Sequence, residues 1–194
     1  MSKIKYFSED EIKRFFDTLR KEKNVRDLLF FKLMYHYGLR LAETLTIRME
    51  DITPTQIHIR RLKGGISRFY DWRIDDRKLL EKWLRRRQKI ENSAHNPFLF
   101  ITSRSSIGPM SEAMGKKLHR KYCDLAGVNS DKRNNVHAWR HTCAITLLMQ
   151  GYDVFFVKTW LGHRSISSTM VYLEIMPPQW AQLSKGAIEN AFSD

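Results

Sequence analysis

The sequence predicts a mainly α-helical domain with a small antiparallel β-hairpin, or a three-stranded sheet, at one edge. Three observations lead there. Apolar residues recur at helical spacing through most of the chain. Alternation of period two is confined to residues 56–74, where Gly64-Gly65 divides it. No repeat, low-complexity tract or long linker interrupts the pattern. With 194 residues, 42% hydrophobic and 12% aromatic, the chain can bury the core of one compact domain, or of one and a small appendage.

The elements follow in order. Ser8 can cap the first helix, Glu11 can complete a capping box, and Phe7 can staple onto Ile12. Ile12, Phe15, Phe16 and Leu19 then share one face. A start this near residue 1 predicts no further domain ahead of it. Residues 25–37 read as a second helix, apolar on most sides and therefore central, with Gly38 as its stop. Arg40 comes directly after, and residues 41–45 open a short helix. Residues 56–62 and 66–74 pair as the hairpin, with Lys63 at its turn. Asp75 or Asp76 caps a helix that holds Leu79, Leu80, Trp83 and Leu84 and ends in Arg85-Arg86-Arg87. Residues 98–101 are a candidate strand. Ser111 opens a helix to Ala126, apolar along Met114, Leu118, Tyr122 and Leu125, and stopped by Gly127. From His137 the chain is helical, broken at Gly151, at Gly162 and before Ser167. Ser165 or Ser167 can cap a helix carrying Tyr172, with Ser168 four residues earlier placing the phenol on a polar face. Pro177-Pro178 ends that helix. Trp180, Leu183, Ala187 and Ala191 suggest a last amphipathic helix over residues 177–194.

Charge narrows the partner. Lys and Arg number 34 against 21 Asp and Glu, a formal net charge of +13 with pI near 9.9. That balance points to a polyanion, with nucleic acid first and a merely solvated basic surface as the plainer reading. Cys123 and Cys143 belong to no CxxC or Cys/His cluster, which argues against a disulfide framework or a zinc site and fits a reducing cytoplasm. The N-terminus has no apolar secretory core and no run approaches a membrane span, so the expected location is cytoplasmic.

Metal-free cleavage of a phosphodiester by a protein nucleophile needs fixed cations for the charge that builds on its oxygens, a nucleophile, and proton partners. Guanidiniums stay charged and donate bidentately. A phenol can form a covalent phosphate link, a lysine can protonate the departing oxygen, and histidines can accept or donate protons. Arg40, Lys63, His137, Arg140, His163 and Tyr172 supply this list. His137 and Arg140 are i, i+3 at a helix start, where the dipole favours an anion. No metal-ligand cluster is visible, so no metal or other cofactor is expected. Singly, each residue has an ordinary reading: Arg40 as a surface arginine, Lys63 as a solvated turn, Tyr172 as a packing tyrosine. Arg60 and Arg61 are alternatives to Lys63, and His141 reads as structural. A short helix between a glycine stop and Pro177-Pro178 makes Tyr172 the expected most mobile of the six.

The ordered segments GLRLAE, LKGG, HAWRH, LGH and SISSTMVYL resemble the boxes of the tyrosine recombinase (phage integrase) family over residues 6–174, and the chain is similar to its short fimbrial phase-switch members. The resemblance implies the family's catalytic-domain fold and site-specific recombination, integrating, excising or inverting DNA. Arg40 and Arg140 would clamp the scissile phosphate and Lys63 would protonate the 5′-hydroxyl leaving group. His137 would be acid/base partner to the tyrosine, His163 would hydrogen-bond a non-bridging oxygen, and Tyr172 would form a 3′-phosphotyrosyl bond. The implied partner is double-stranded DNA, with a homotetramer at synapsis and a monomer or weak dimer when free. Lys116, Lys117, Arg120 and Lys121 would contact DNA, as would Arg85 and Arg86 unless they form a solvated face. No stretch of these residues resembles the family's N-terminal core-binding domain, so residues 1–176 read as the catalytic domain alone, either a short member of the family or a fragment of a longer integrase, with an accessory DNA-binding protein as one way to complete the clamp. The 177–194 tail would pack on its own domain or on a neighbouring protomer. Two competitors share the fold: a topoisomerase-like nicking and religating enzyme, and a catalytically idle DNA-binding regulator.

Overall fold

The computed structural model of the chain describes residues 4–103 and 108–175. Helix α1 (Glu9–Lys21) starts with the capping box: the Glu11 N–H donates to Ser8 Oγ, and the Ser8 N–H donates to the Glu11 carboxylate. Its face of Phe15, Phe16 and Leu19 is buried. Phe7 is buried too, with its ring stacked on Trp139 at 4.0 Å between centroids. Helix α2 (Val25–His36) runs through the centre, and Leu29, Phe30, Phe31, Leu33 and Met34 are wholly buried, as a helix apolar all round requires.

Helix α4 (Ile74–Arg87) lies antiparallel to α2. At one end the Arg73 N–H donates to the Tyr37 hydroxyl; at the other, Arg86 donates to the Lys23 carbonyl just ahead of α2. Arg73, not Asp75 or Asp76, is the residue before the first turn, and both aspartates sit inside that turn. Their charge suits the helix N-terminus, and Asp76 is drawn inward by a 2.6 Å bond to His36 Nδ1. The remaining helices among the described residues are α3 (Leu41–Leu45), α5 (Glu112–Leu125), α6 (Ser130–Arg133), α7 (Ala138–Met149), α8 (Val154–Leu161) and α9 (Ser167–Met170).

Strands β1 (Gln56–Ile59) and β2 (Arg68–Asp71) pair antiparallel, with Ile57 opposite Tyr70. The ladder is shorter than the alternation suggests. Residues 60–67 leave it as a loop, and that loop docks on the end of α8 through an Ile66 N–H to Gly162 carbonyl bond of 2.9 Å. Residues 98–101 are not a strand, and the sheet has two strands among the described residues. Phe98 makes one bridge to Arg48, while Trp83 and Arg87 occupy the Leu99 and Phe98 carbonyls that a ladder would need. The tail helix and Pro177-Pro178 lie outside the described residues.

Gly38 turns the chain from α2 toward Arg40 with φ +59°, and a Cβ there would strike Leu161. Gly38→Ala is therefore expected to cost about 2–4 kcal/mol, from left-handed backbone strain and overpacking together, read as a lowered urea midpoint.

Candidate active site

The site is built around a buried carboxylate. Glu43, whose side chain is wholly buried on α3, accepts from Arg40 Nη1 at 2.6 Å, from Arg61 Nη1 at 3.0 Å, and from the backbone N–H groups of Arg40 and Leu62. Arg140 Nη1 lies 3.8 Å from it. Burial would raise the Glu43 pKa, but the Arg61 charge and the Arg40 and Arg140 contacts outweigh it and hold the group below the usual carboxylate range. Three guanidiniums thus share one carboxylate, so the pocket is short of negative charge.

The three arginines differ in what they can still do. Arg61 is spent on structure: it also donates to the carbonyls of Tyr37, Gly38 and Trp160 and to the Tyr70 hydroxyl, clamping the hairpin loop to α2 and α8. Arg60 is drawn off by Asp51 and Glu50. Neither stands in for Lys63, which is exposed in the loop at φ +54° and close enough for its charge to act on His137. Arg140 is 1% exposed and donates to the carbonyls of Gly38 (2.6 Å) and Leu161 (2.8 Å), the residues that end α2 and α8. Arg40 keeps a quarter of its side chain open. Its position just before α3 follows from the Gly38 turn.

Helix α7 delivers His137, Arg140 and His141. It is anchored by Trp139, which packs among Phe7, Phe15 and Phe16 and donates to His119 Nδ1 at 3.2 Å. Gly162, with φ +69°, turns the chain off α8; a Cβ there would meet the Ile66 carbonyl at 2.6 Å. The turn presents His163, whose Nδ1 bonds Thr169 Oγ1 at 2.8 Å. Burial, reinforced by the Arg140 and Arg40 charges, lowers His163 to about 3 and His137 to about 4; both are neutral at physiological pH.

Tyr172 departs from expectation. Ile166, not Ser165 or Ser167, is the residue before helix α9, which begins at Ser167 and closes after one turn at Met170. Tyr172 lies beyond it, its N–H on the Thr169 carbonyl. The ring is not on a polar face: it is 3% exposed among Cys143, Ala144, Ile145, Leu148, Val157 and Leu161. That packing also counts against Tyr172 as the most mobile member. Burial pushes the phenol to about 12, although Arg140 and Arg40 pull it back. Its hydroxyl bonds His141 Nδ1 at 3.0 Å, a contact that the structural reading of His141 did not foresee.

The structure thus gathers Arg40, Lys63, His137, Arg140, His163 and Tyr172 around the ends of α2, α7 and α8 and the hairpin loop. Sequence reasoning passed over Glu43 and read His141 as structural. Both were in view, inside GLRLAE and HAWRH, at i+3 from Arg40 and i+4 from His137.

The basic candidates for nucleic-acid contact are scattered. Lys116 and Lys117 are exposed on α5 beside Gly115, which packs on Leu41 next to Arg40. Lys116 also reaches Glu112 at 3.4 Å. Arg120 is exposed further along α5, and Lys121 is tied to Glu22 at 2.9 Å. Arg85 and Arg86 lie at the opposite end of α2 from Arg40, about 18 Å away by helix rise, and are not brought to the site. Among the described residues no group of three or more His, Cys, Asp or Glu could hold a metal ion, and no helix is long and apolar enough to cross a membrane.

This fold and its cationic, phenol-bearing pocket define a phosphoryl-transfer domain suited to a polyanion. The family described as "Phage integrase family" matches residues 5–177. The type 1 fimbriae regulatory protein FimE of Escherichia coli K12 is 29% identical over 175 residues, covering 89% of this chain and 86% of FimE. Tyrosine recombinase XerA of Pyrococcus furiosus is 29% identical over 190 residues, 96% of this chain but 62% of XerA. The crystal structure of XerH site-specific recombinase bound to difH substrate shares the fold, with TM-score 0.74 at 24% identity over 87% of this chain and 49% of that one. The chain belongs to the phage integrase family and is a tyrosine recombinase catalytic domain.

Proposed function

We propose that the chain is a site-specific DNA recombinase that cleaves and rejoins strands through a 3′-phosphotyrosyl bond at Tyr172. The observation that carries this reading is a site short of negative charge: Arg40 and Arg140 share Glu43 with Arg61, and the charges of Arg140, Arg40 and Lys63 all act on His137. A phosphodiester supplies that charge. Arg40 and Arg140 hold its non-bridging oxygens, His163 donates to one of them, and Lys63 protonates the 5′ oxygen as it leaves. His137, beside Arg40 and Lys63, completes the proton-transfer group. Integration, excision and inversion are the same chemistry applied to differently placed sites.

Lys116, Lys117 and Arg120, exposed on α5, extend the contact along the duplex. Neutralising about six to ten phosphates makes affinity fall roughly 10³–10⁵-fold between 50 and 200 mM salt, which filter binding would measure. Arg85 and Arg86 reach DNA only if the duplex extends past the α4 end. Protomers assemble as a tetramer on paired sites. A catalytically idle regulator has no use for a phenol under two guanidiniums, which disfavours that competitor. The test is a nicked suicide duplex cut from the DNA flanking the gene, with the covalent adduct resolved on a denaturing gel. No adduct on any such duplex overturns the reading. Two-site strand exchange, against relaxation of a supercoiled plasmid, then separates a recombinase from a topoisomerase.

A further inference from the structure

We infer that His141, not His137, accepts the phenolic proton of Tyr172 as its oxygen bonds to phosphorus. This rests on the phosphotyrosyl reading and assigns a residue that reading leaves unused. The Tyr172 hydroxyl lies 3.0 Å from His141 Nδ1, within reach for direct transfer. Around the ring the packing is apolar, from Cys143 to Leu161. No hydrogen bond joins Tyr172 to His137; instead the His137 ring packs edge-on against His141, 4.7 Å between centroids. The two histidines are one helical turn apart on α7, and the nearer to the nucleophile is the one after Arg140.

An acceptor must be neutral before the reaction. Burial, followed by the charges of His137 and Arg140, holds His141 at about 4, so the ring is neutral; the proposal requires its proton on Nε2, which leaves the Nδ1 lone pair to accept from the phenol. A phosphodiester entering the cationic pocket adds negative charge nearby and makes the imidazole more basic as the substrate arrives. In the forward step the Tyr172 O–H bond breaks and its proton passes to His141 Nδ1. The phenolic oxygen bonds to phosphorus, the bond from phosphorus to the 5′ oxygen breaks, and Lys63 Nζ protonates that oxygen. His141 ends cationic and Lys63 neutral; attack by a 5′-hydroxyl returns both protons.

The test compares single-turnover adduct formation on nicked duplexes from the flanking DNA by the unaltered chain, His141→Asn, His141→Gln and His137→Asn. The amide oxygen of Asn or Gln accepts the phenol's hydrogen bond but cannot carry its proton. Both His141 variants are expected to slow by roughly 10²–10⁴-fold, and more than His137→Asn. Either one cleaving within about threefold of the unaltered chain reduces His141 to positioning and overturns the inference. Nitrogen-15 shifts of the unaltered, DNA-free protein give a measurement independent of variant folding: His141 Nδ1 is expected unprotonated, and a proton on it counts against the proposal. If the unaltered chain forms no adduct, the phosphotyrosyl reading falls and takes this inference with it. If it does and His141→Asn is undiminished, this inference falls alone.

Discussion

Tyr172→Phe is expected to abolish the covalent DNA adduct while leaving the fold and DNA binding in place. The ring fills an apolar pocket between α7 and α8, and phenylalanine fills it equally. What is lost is one hydroxyl and its hydrogen bond to His141, about 1 kcal/mol of stability. Catalysis loses its nucleophile, so the rate should fall by ~10⁴-fold or more. The unaltered tyrosine needs help as well. With the phenol at about 12, only ~1 in 10⁵ molecules is ionised at pH 7 (12 − 7 = 5). Attack by the phenol therefore requires a proton acceptor at the hydroxyl, and His141 is placed there. The measurement is the denaturing-gel adduct assay beside a filter-binding titration. An undiminished adduct in Tyr172→Phe would assign the nucleophile elsewhere; lost DNA binding would instead mean that the hydroxyl supports the fold.

How legible this was depended on the range of each interaction. The Ser8–Glu11 capping box and the existence of the hairpin are set by residues close in sequence, and both, though not the register, were readable from spacing. So were the Gly38 and Gly162 turns, which only a left-handed backbone explains. The ordered boxes also picked out residues that the fold brings together, because Arg40, Arg140 and His163 sit at stops and starts of helices. The misses are of longer range. Arg61 looked like a substitute for Lys63, yet its bond to the Trp160 carbonyl spans 99 residues and buries it. Residues 98–101 had a strand's composition, but Trp83 and Arg87 took the carbonyls. For Tyr172, helical spacing from Ser168 misled because α9 stops after one turn and the ring then turns inward.

Glu43→Ala should be the most destabilising single change at the site. Its carboxylate is the counter-charge to Arg61, whose side chain is wholly buried, and it also holds Arg40 and two backbone N–H groups. Removing it strands buried guanidiniums, which costs about 3–5 kcal/mol. For a chain of this size that is a fall in Tm of roughly 6–20 °C, readable by calorimetry. The pH dependence has a definite sign. Glu43 has a folded pKa below its unfolded value, so its stabilisation is present above the unfolded carboxylate pKa of about 4.3 and is lost as pH falls through the folded value. The gap between Glu43→Ala and the unaltered chain should therefore be full at neutral pH and narrow in acid. A loss below about 1 kcal/mol at pH 7 would mean that water or another group screens the arginines. A second consequence separates charge from packing. With the carboxylate gone, the pocket is short of one more negative charge, so an anion that binds only the folded state should restore part of what was lost. DNA added to Glu43→Ala is expected to raise its Tm by more than it raises that of the unaltered chain. An equal rise in both would show that Arg40 and Arg140 reach the phosphate independently of the carboxylate that holds them.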